Sequence, residues 1–246
     1  MLKSMEKIKV KGIVISDTNY SESSKILNIL TENLGLVSAI SKGCKNYKSK
    51  LRSASCKLTY GYFYLNYKED GISTLTEVDI LNDFKHIKTD LKKIGYSTYL
   101  IDLARQVVKQ NESKEIFNIL EASLLKIEKD FDPALITNIA ELKYLSFLGV
   151  APILDRCASC ENTKDIITIN SDAGGYICKN CYTNEYITDE KTLKLLRMFN
   201  LVDIIRIKEL NILDKNKREI NKFLEDYYTK YTGLYLKSKD FLSQIK

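Results

Sequence analysis

The sequence is poor in the residues and motifs that mark common enzyme active sites. Its 246 residues include one histidine, two prolines and no tryptophan. A Ser-His or Cys-His nucleophile would have to use His86, and no Gly-x-Ser-x-Gly elbow occurs. A zinc deaminase requires His-x-Glu, but Ile87 and Lys88 follow this histidine. Neither a Walker-type phosphate loop nor a Gly-x-Gly-x-x-Gly pattern is present. We therefore expect a protein that is not an enzyme, with His86 at the surface or at the start of a helix.

Long apolar runs are also missing from the sequence. The apolar runs extend over only a few residues, which is too short to span a bilayer. The N-terminal segment Met1–Lys7 has no apolar core of signal-peptide length. The composition, with 44% hydrophobic and 28% charged residues, is typical of a globular chain. These features predict a cytoplasmic protein in a reducing compartment, without membrane association.

One long segment has no carboxylates. No aspartate or glutamate occurs between Glu32 and Glu69, although the net charge of the whole chain is only +6. A segregated cationic segment is typical of proteins that bind polyanions. The alternative is a solvated lysine-rich loop without a ligand. Since the segment contains glycine and small polar residues, we predict a loop whose candidate phosphate contacts are Lys42, Lys45, Lys48, Lys50 and Arg52.

Four of the six cysteines form two Cys-x-x-Cys pairs, which are Cys157 with Cys160 and Cys178 with Cys181. This spacing is typical of a tetrahedral zinc site, in which two short turns each supply two thiolates. Four thiolates leave no open coordination position, so the predicted Zn²⁺ is structural. The linker predicts a hairpin with a strand at 166–169, a turn at 170–175 and a return at 176–177. Two disulfides or four unligated thiols are the alternatives, and Cys44 and Cys56 are expected to be ordinary thiols.

The first eighty residues show the two-residue period of β-strands. The candidate strands are 8–16, 35–41, 58–67 and 72–78, with 24–30 as either a strand or a short helix. About five short strands predict a small β-barrel, for which the OB-fold is the candidate architecture. Tyr60, Tyr62 and Tyr64 share one face of a strand. That face provides either stacking platforms for bases or ordinary core.

After Leu81 the apolar period changes to that of an α-helix. Asp132 and Pro133 are typical of the start of a helix, and Gly149 is suited to the position after its last turn. Asp189 is expected to begin another helix. The predicted helical segments are 94–108, 116–127, 133–148, one that starts at 189, and 215–231.

The change of period divides the chain into two parts. We predict an α+β multidomain protein with a small β-barrel of the OB-fold type at 1–80 and an α-helical domain at 81–246. The zinc finger is predicted to be an insertion in the helical domain at about 153–183. No flexible linker separates the two parts, so they are expected to pack against each other.

Several motifs together resemble one protein family. In the N-terminal half they are Gly12-Ile13-Val14, Tyr20–Lys25, Thr31-Glu32, Leu34–Leu36, Lys42–Lys45 and Ser49–Arg52. The most specific block is Phe147–Pro152 with the two Cys-x-x-Cys pairs and Gly174–Ile177 between them, and Lys237–Leu242 resembles the family's C-terminus. Over nearly its full length the chain resembles RecO, the bacterial recombinational-repair mediators. Glu161 departs from the pattern, since relatives often carry glycine there, and this is expected to alter the knuckle turn.

The resemblance implies a function that the residues alone do not specify. It implies an N-terminal OB domain, a helical domain with an inserted zinc finger, and no catalytic activity. The implied activities are binding of single- and double-stranded DNA, annealing of complementary strands, and help in loading RecA onto strands coated with single-strand-binding protein (SSB). The implied partners are RecR and the SSB C-terminal tail directly, and RecA indirectly, in the cytoplasm and at the nucleoid. Since some relatives lack the cysteines, zinc need not be essential for activity.

Two other interpretations remain open at the level of sequence. The chain is alternatively a zinc-stabilised interaction scaffold that contacts DNA only incidentally, and Lys143, Arg197 and Arg206 are three of many candidates for docking an acidic tail. A metal-dependent nucleic-acid enzyme would need carboxylates such as Glu77 and Asp79, and it is disfavoured because the four cysteines fill all positions of the predicted metal.

Overall fold

The computed structural model describes residues 6–111, 113–236, 238, 239 and 242. Of the segments discussed above, Met1–Met5, Lys237, Asp240 and Phe241 lie outside the described residues. Within the described residues, five strands are followed by four α-helices, a small three-stranded sheet, and two further α-helices with a short 3-10 helix between them. This order agrees with the predicted strand-rich part followed by a helical part.

The N-terminal strands form a closed barrel. They are β1 (Glu6–Asn19), β2 (Lys25–Thr31), β3 (Leu36–Ser41), β4 (Tyr60–Tyr67) and β5 (Ser73–Asn82). The strands are hydrogen-bonded in the order β1-β2-β3-β5-β4, and β4 pairs with β1 to complete the ring. All of these pairings are antiparallel except β3 with β5. The segment 24–30 is therefore a strand, and the helical alternative is wrong.

Alternation along the strands fills the barrel. Phe63 and Leu65 of β4 point inward and pack with Val14, Leu27 and Ile29, all of which are buried. Their polar neighbours face outward, as the two-residue period requires. Gly61 permits a close approach of β4 to β5, because a Cβ at this position would lie 2.3 Å from the carbonyl oxygen of Asp79.

The helical part begins immediately after the barrel. Its helices are α1 (Lys85–Thr89), α2 (Leu91–Gln110), α3 (Lys114–Glu128), α4 (Pro133–Phe147), α5 (Glu190–Leu201) and α6 (Asp214–Tyr231), with a short 3-10 helix at Ile204–Arg206. The predicted helix boundaries are confirmed at three places. The side chains of Asp132 and Asp189 accept hydrogen bonds from Ala134 and Lys191 at the starts of α4 and α5. Gly149 follows α4 with a φ of +74°.

A small sheet lies between α4 and α5. Its strands are β6 (Ile153–Cys157), β7 (Ile166–Asn170) and β8 (Gly175–Cys178), in the order β6-β8-β7. The hairpin of β7 and β8 is the predicted one. β6, which pairs in parallel with β8, was not predicted, because Ile153–Cys157 is too short and too polar to show a clear period.

The barrel and the helices share one hydrophobic core. Ile13, Ile15 and Leu30 of the barrel belong to the same buried cluster as the cores of α2, α3 and α4. At the junction, the rings of Tyr60 and Phe84 stack with their centroids 5.8 Å apart. The predicted contact between the two parts is therefore present, and it is apolar at its centre.

Polar contacts support the same junction. Glu121 on α3 accepts a hydrogen bond from Tyr60 and forms an ion pair with Lys11 of β1. Lys57, which follows the cationic segment, lies 3.1 Å from the carboxylate of Asp102 on α2. Three charged or phenolic groups from the barrel thus have partners on the helices.

Candidate functional site

The four predicted metal ligands lie together at one end of the small sheet. The Sγ atoms of Cys157, Cys160, Cys178 and Cys181 are all within 4.8 Å of one another. Cys157 and Cys178 are the last residues of β6 and β8, and their partners follow in tight turns. The turns are closed by backbone hydrogen bonds from Glu161 to Cys157 (2.9 Å) and from Cys181 to Cys178 (3.1 Å).

This geometry fits a tetrahedral metal. Zn–S bonds of about 2.3 Å place thiolates about 3.8 Å apart at the corners of a tetrahedron. The Sγ atoms of Cys160 and Cys178 are 3.6 Å apart. All six cysteines are free thiols, which does not match the two-disulfide alternative. Four thiolates with no other ligand would hold the ion in a closed, structural site.

Without a metal, the protein environment favours the thiolate form of only some of the four cysteines. Burial raises the pKa of the Cys157 thiol, but backbone N–H groups of Cys178, Cys160 and Ser159 outweigh this effect and lower the pKa to about 6. The Cys181 thiol donates a hydrogen bond to the sulfur of Cys160, and this raises the pKa of Cys181 to about 12. Four thiolates this close repel one another, so a cation is needed to hold all of them in the ionised form.

Glu161 lies in the first knuckle turn with a left-handed backbone. Its φ is +61°, a region in which a residue with a Cβ is strained and glycine is not. The effect of Glu161 on the knuckle turn is therefore backbone strain. The chain keeps the turn but places a strained residue in it.

The predicted phosphate-binding residues lie on the long connection between β3 and β4. The connection consists of successive turns, so the prediction of a loop is confirmed. Lys42, Lys48, Lys50 and Arg52 are exposed. Among the described residues, none of these four side chains takes part in an ion pair. Four cationic groups on one loop are thus free to meet an anion from solvent.

Lys45 differs from the other four residues because it fastens the loop to the barrel. Its Nζ donates to the carbonyl oxygen of Ser21 at 3.0 Å, and its backbone N–H donates to Ser23 at 2.9 Å. Nearby, Lys25 forms an ion pair with Asp17 at 2.7 Å and donates to the carbonyl of Ser55. The cationic loop is therefore held against the connection between β1 and β2.

The tyrosines that share one face of β4 are partly or wholly buried. Tyr60 is buried at the junction with the helices. The Nζ of Lys9 lies 4.5 Å from the ring centroid of Tyr62 and 5.0 Å from that of Tyr64. The hydroxyl of Tyr64 donates to Asp79. Since Tyr60 is buried and Tyr62 and Tyr64 are only partly exposed, this face offers less open ring surface than a fully exposed aromatic residue would, and base stacking on it stays a prediction.

Sequence reasoning missed a more accessible aromatic residue. Tyr47 is 88% exposed within the cationic loop, and the Arg52 guanidinium carbon lies 5.5 Å from its ring centroid. Its signal in the sequence was an aromatic residue between lysines in a segment without carboxylates. Strand periodicity drew attention to the tyrosines of β4 and away from this one.

A groove in the helical part holds one of the three residues named as candidates for docking a tail. The groove has a volume of about 440 Å³ and is lined by the apolar side chains of Phe147, Leu201 and Val202, with the carboxylates of Glu115 and Asp203 also on its wall. Lys143 also lines it, and its Nζ donates to the carbonyl oxygen of Asn200 at 3.1 Å. Burial lowers the pKa of Lys143. Arg206 instead pairs with Asp203 at 3.4 Å.

The remaining candidates for chemistry are engaged elsewhere. His86 is exposed on α1, as expected, and its backbone N–H donates to the carboxylate of Glu128. Asp79 pairs with Lys9 at 3.6 Å. Within the described residues, the four cysteines are the one group whose ligand atoms converge on a metal position. No helix in the described part of the chain has an apolar stretch long enough to cross a bilayer.

Comparisons with known proteins cover both parts of the chain. Residues 5–84 match the family model described as recombination protein O N terminal, and residues 88–240 match recombination protein O C terminal. The chain is 31% identical over 241 residues to DNA repair protein RecO of Listeria monocytogenes serotype 4b, covering 96% of this chain and 94% of the relative. It is 30% identical over 242 residues to DNA repair protein RecO of Halalkalibacterium halodurans (97% and 95% covered). For DNA repair protein RecO of Bacillus cereus the identity is 32% over 241 residues (96% and 97% covered). The chain therefore belongs to the RecO family of DNA repair proteins.

Proposed function

We propose that this protein is a non-catalytic DNA-binding mediator of recombinational repair. In this proposal it anneals complementary single strands and, with RecR, helps load RecA onto single strands coated with SSB, in the cytoplasm and at the nucleoid. The observation that carries the proposal is the cationic loop, with four unpaired basic side chains on a barrel, in a chain of the RecO family.

The barrel supports the first part of this proposal. We assign it to the OB-fold, because a five-stranded closed ring in which β1 pairs with both β2 and β4 suits that architecture. OB-folds bind single strands in a basic groove. Lys42, Lys45, Lys48, Lys50 and Arg52 would neutralise phosphates of single- or double-stranded DNA. Since this releases counterions, binding should weaken steeply as salt rises.

Annealing follows from the same electrostatics. Two DNA strands repel each other, and cationic side chains that screen phosphates lower this repulsion without nucleotide hydrolysis. The activity to test first is therefore the annealing of complementary strands already coated with SSB, in the absence of nucleotide. Faster annealing than with SSB alone is the expected result. If the protein accelerates annealing of naked strands but not of coated strands, the proposed contact with SSB is wrong. If neither anneals, the interaction-scaffold alternative is preferred.

Charge reversal tests the loop directly. Replacing Lys42, Lys48 and Lys50 with glutamate should abolish most annealing and reduce the slope of log affinity against log salt by about three, or roughly one per lost phosphate contact. The matched control reverses three exposed lysines of the helical part, Lys92, Lys129 and Lys208. An equal loss in the control would show that net charge, rather than the loop, determines binding.

We further propose that the four-cysteine cluster holds a structural Zn²⁺ in a zinc finger. The proposal is supported by the convergence of four thiols within 4.8 Å. The ion would join β6 to β8 and would leave no position for a substrate. Cys178→Ser should remove the metal and lower the thermal midpoint by many degrees, whereas Cys56→Ser should change neither. A Cys178→Ser protein that retained one equivalent of zinc would refute the ligand assignment.

The Lys143 groove is the proposed site for the SSB C-terminal tail. An acidic tail with an apolar end would place its carboxylate near the half-buried Lys143 ammonium and its apolar side chains on Phe147 and Leu201. Lys143→Met, which retains much of the side-chain stem, should weaken binding of a labelled tail peptide in fluorescence anisotropy. Lys194→Met, at an exposed lysine paired with Glu190, is the control. Unchanged affinity in Lys143→Met would exclude this groove.

A further inference from the structure

Tyr47 stands apart from the other aromatic residues near the cationic loop. It is 88% exposed, which is the largest exposed fraction among the exposed large hydrophobic side chains of the described chain. Leaving an aromatic ring in water forfeits the free energy of burial that such a ring ordinarily provides. Neither a hydrophobic cluster nor a hydrogen bond of the described residues involves this ring, so folding does not account for its position.

The ring is nevertheless oriented by the protein. The guanidinium carbon of Arg52 lies 5.5 Å from the ring centroid, within the range of a cation–π contact. Arg52 contacts the ring from one side, and the high exposure of Tyr47 leaves the other side open to solvent. A base stacked on that open side would place the Tyr47 ring between the base and the Arg52 guanidinium. Its phosphates would meet the free lysines on either side of Tyr47 in sequence.

The backbone around Tyr47 is held by turns rather than left loose. Asn46 donates to the carbonyl of Gly43 at 3.1 Å, and Ser49 donates to that of Asn46 at 3.0 Å. Two residues before Tyr47, Lys45 fastens the loop to Ser21 and Ser23. Holding a ring in place before binding reduces the entropy that is lost when a ligand orders it.

We propose that Tyr47, backed by Arg52, is a stacking site for an unpaired nucleic-acid base. This inference rests on the proposed binding of DNA to the cationic loop and specifies what that loop recognises. Bases within a duplex have both faces covered by their neighbours, so only a single strand can use the ring. The loop therefore contributes a salt-dependent phosphate interaction to both forms of DNA and a salt-independent stacking interaction to single strands alone.

The absence of tryptophan from the chain provides a direct probe. Tyr47→Trp retains an aromatic ring and makes it the only indole in the protein. We expect an oligothymidine to quench the emission of this tryptophan, because the indole stacks on a base. An abasic oligonucleotide of equal length should bind through its phosphates without the same quenching. Tyr186→Trp, at an exposed tyrosine of the helical part, is the control and should respond to neither.

Affinity measurements complete the test. Tyr47→Ala should bind the oligothymidine about tenfold more weakly, the loss expected for one stacked base, and should bind the abasic strand and duplex as the unmodified protein does. Tyr47→Phe should bind like the unmodified protein. The slope of log affinity against log salt should not change, because no phosphate contact is removed.

The outcomes separate this inference from the function on which it rests. Equal quenching by the base-containing and abasic strands, or no tenfold loss in Tyr47→Ala, overturns the stacking site while DNA binding by the loop stands. If neither strand binds the unmodified protein in anisotropy measurements, the proposed DNA binding fails, and the stacking site fails with it. Quenching by bases alone, together with the selective loss for single strands, supports both.

Discussion

Glu161, in the turn between the Cys157 and Cys160 pair and the next strand, has a strained backbone conformation. Glu161 adopts a φ of +61°, and Asp165 in the same connection has a φ of +54°. Left-handed conformations cost residues with a Cβ roughly 1–2 kcal/mol relative to right-handed ones. The hydrogen bond from Glu161 to the carbonyl of Cys157 closes the knuckle and holds the residue there. The strain persists because the turn brings Cys157 and Cys160 together.

Relieving this strain should stabilise the protein. Glu161→Gly is expected to raise the free energy of unfolding by about 1 kcal/mol, since glycine adopts a positive φ freely. Part of the gain is offset by the greater freedom of glycine in the unfolded chain. Urea denaturation in the presence of zinc measures the change.

Glu161→Ala is the control for this prediction, because it removes the carboxylate but retains the Cβ. If alanine stabilises the protein as much as glycine does, the effect comes from the negative charge near the thiolates and the conformational explanation is wrong. Both variants should bind the same number of zinc ions per protein molecule as the unmodified protein, because Glu161 is not among the four proposed ligands.

At the scale of secondary-structure elements, polar end groups decide where helices begin and how they meet. Asp132 accepts a hydrogen bond from Ala134 at the start of α4 and lies 2.7 Å from the Nζ of Lys217 on α6. Burial raises the pKa of Asp132, but Lys217 and the backbone amides outweigh burial, so the net pKa is below 3.8. The hydrogen bond to Asp132 raises the pKa of Lys217 above 10.5.

Two substitutions separate the cap from the ion pair. Asp132→Asn retains a capping side chain and should lower the free energy of unfolding by about 0.5–1 kcal/mol at neutral pH, through loss of the ion pair. Asp132→Ala removes both interactions and should cost about 1–2 kcal/mol. Thermal unfolding of the three proteins measures both effects.

The ion-pair contribution should depend on pH in a defined way. The lowered pKa of Asp132 means that its contribution is complete above the unfolded pKa of about 3.8 and is lost as pH falls through the folded value. The raised pKa of Lys217 means that its contribution is complete below about 10.5 and is lost as pH rises through the folded value. A difference between the parent and Asp132→Asn that stayed constant down to strongly acidic pH would contradict this assignment.

Elements with strong local signals could be predicted from the sequence. Asp132-Pro133, Gly149 and Asp189 marked helix boundaries because capping is a local interaction between neighbouring residues. The cysteine spacing predicted the cluster because the two cysteines of each Cys-x-x-Cys pair lie in one local turn. α1 and β6 were missed because each is only five residues long and is interrupted by polar residues, so neither shows an apolar period, whereas the equally short β7 is rich in isoleucine.

The candidate DNA site was only partly predictable. The absence of carboxylates located the cationic loop, because charge is read directly from the sequence. Sequence could not show that Lys45 is committed to Ser21, or that Tyr60 is covered by Phe84, since these contacts join residues that are 24 apart in both cases. Tertiary contacts thus decided which cationic and aromatic groups remain open to solvent.

At the scale of the whole molecule, the two family-matched parts are physically joined. One buried cluster includes residues of the barrel and of the helices, and Glu121 links to both Lys11 and Tyr60. A second cluster, which contains Phe63, fills the interior of the barrel alone. Parts that share a core of this extent lose stability together, because unfolding of one exposes apolar surface of the other.

This coupling can be tested in the full chain with two reporters and two distant substitutions. In a Tyr67→Trp background, indole emission reports on the barrel, because residue 67 at the end of β4 is partly buried against the cluster that fills the barrel. Far-ultraviolet circular dichroism reports mainly on the helices. Phe199 is fully buried on α5, and Phe63 is fully buried inside the barrel. Phe199→Leu and Phe63→Leu should each lower the unfolding free energy by about 1 kcal/mol, a shift of roughly 2–4 °C in the thermal midpoint.

Cooperative unfolding predicts that each substitution shifts both signals equally, even where the altered residue and the reporter are in different parts. Phe199→Leu should move the indole transition as far as the helical transition, although α5 packs on α4, α6 and the small sheet. If Phe199→Leu moved only the dichroism signal and Phe63→Leu only the indole signal, the barrel and the helical part would be independent domains. The junction at Tyr60, Phe84 and Glu121 would then fix their orientation without coupling their stability.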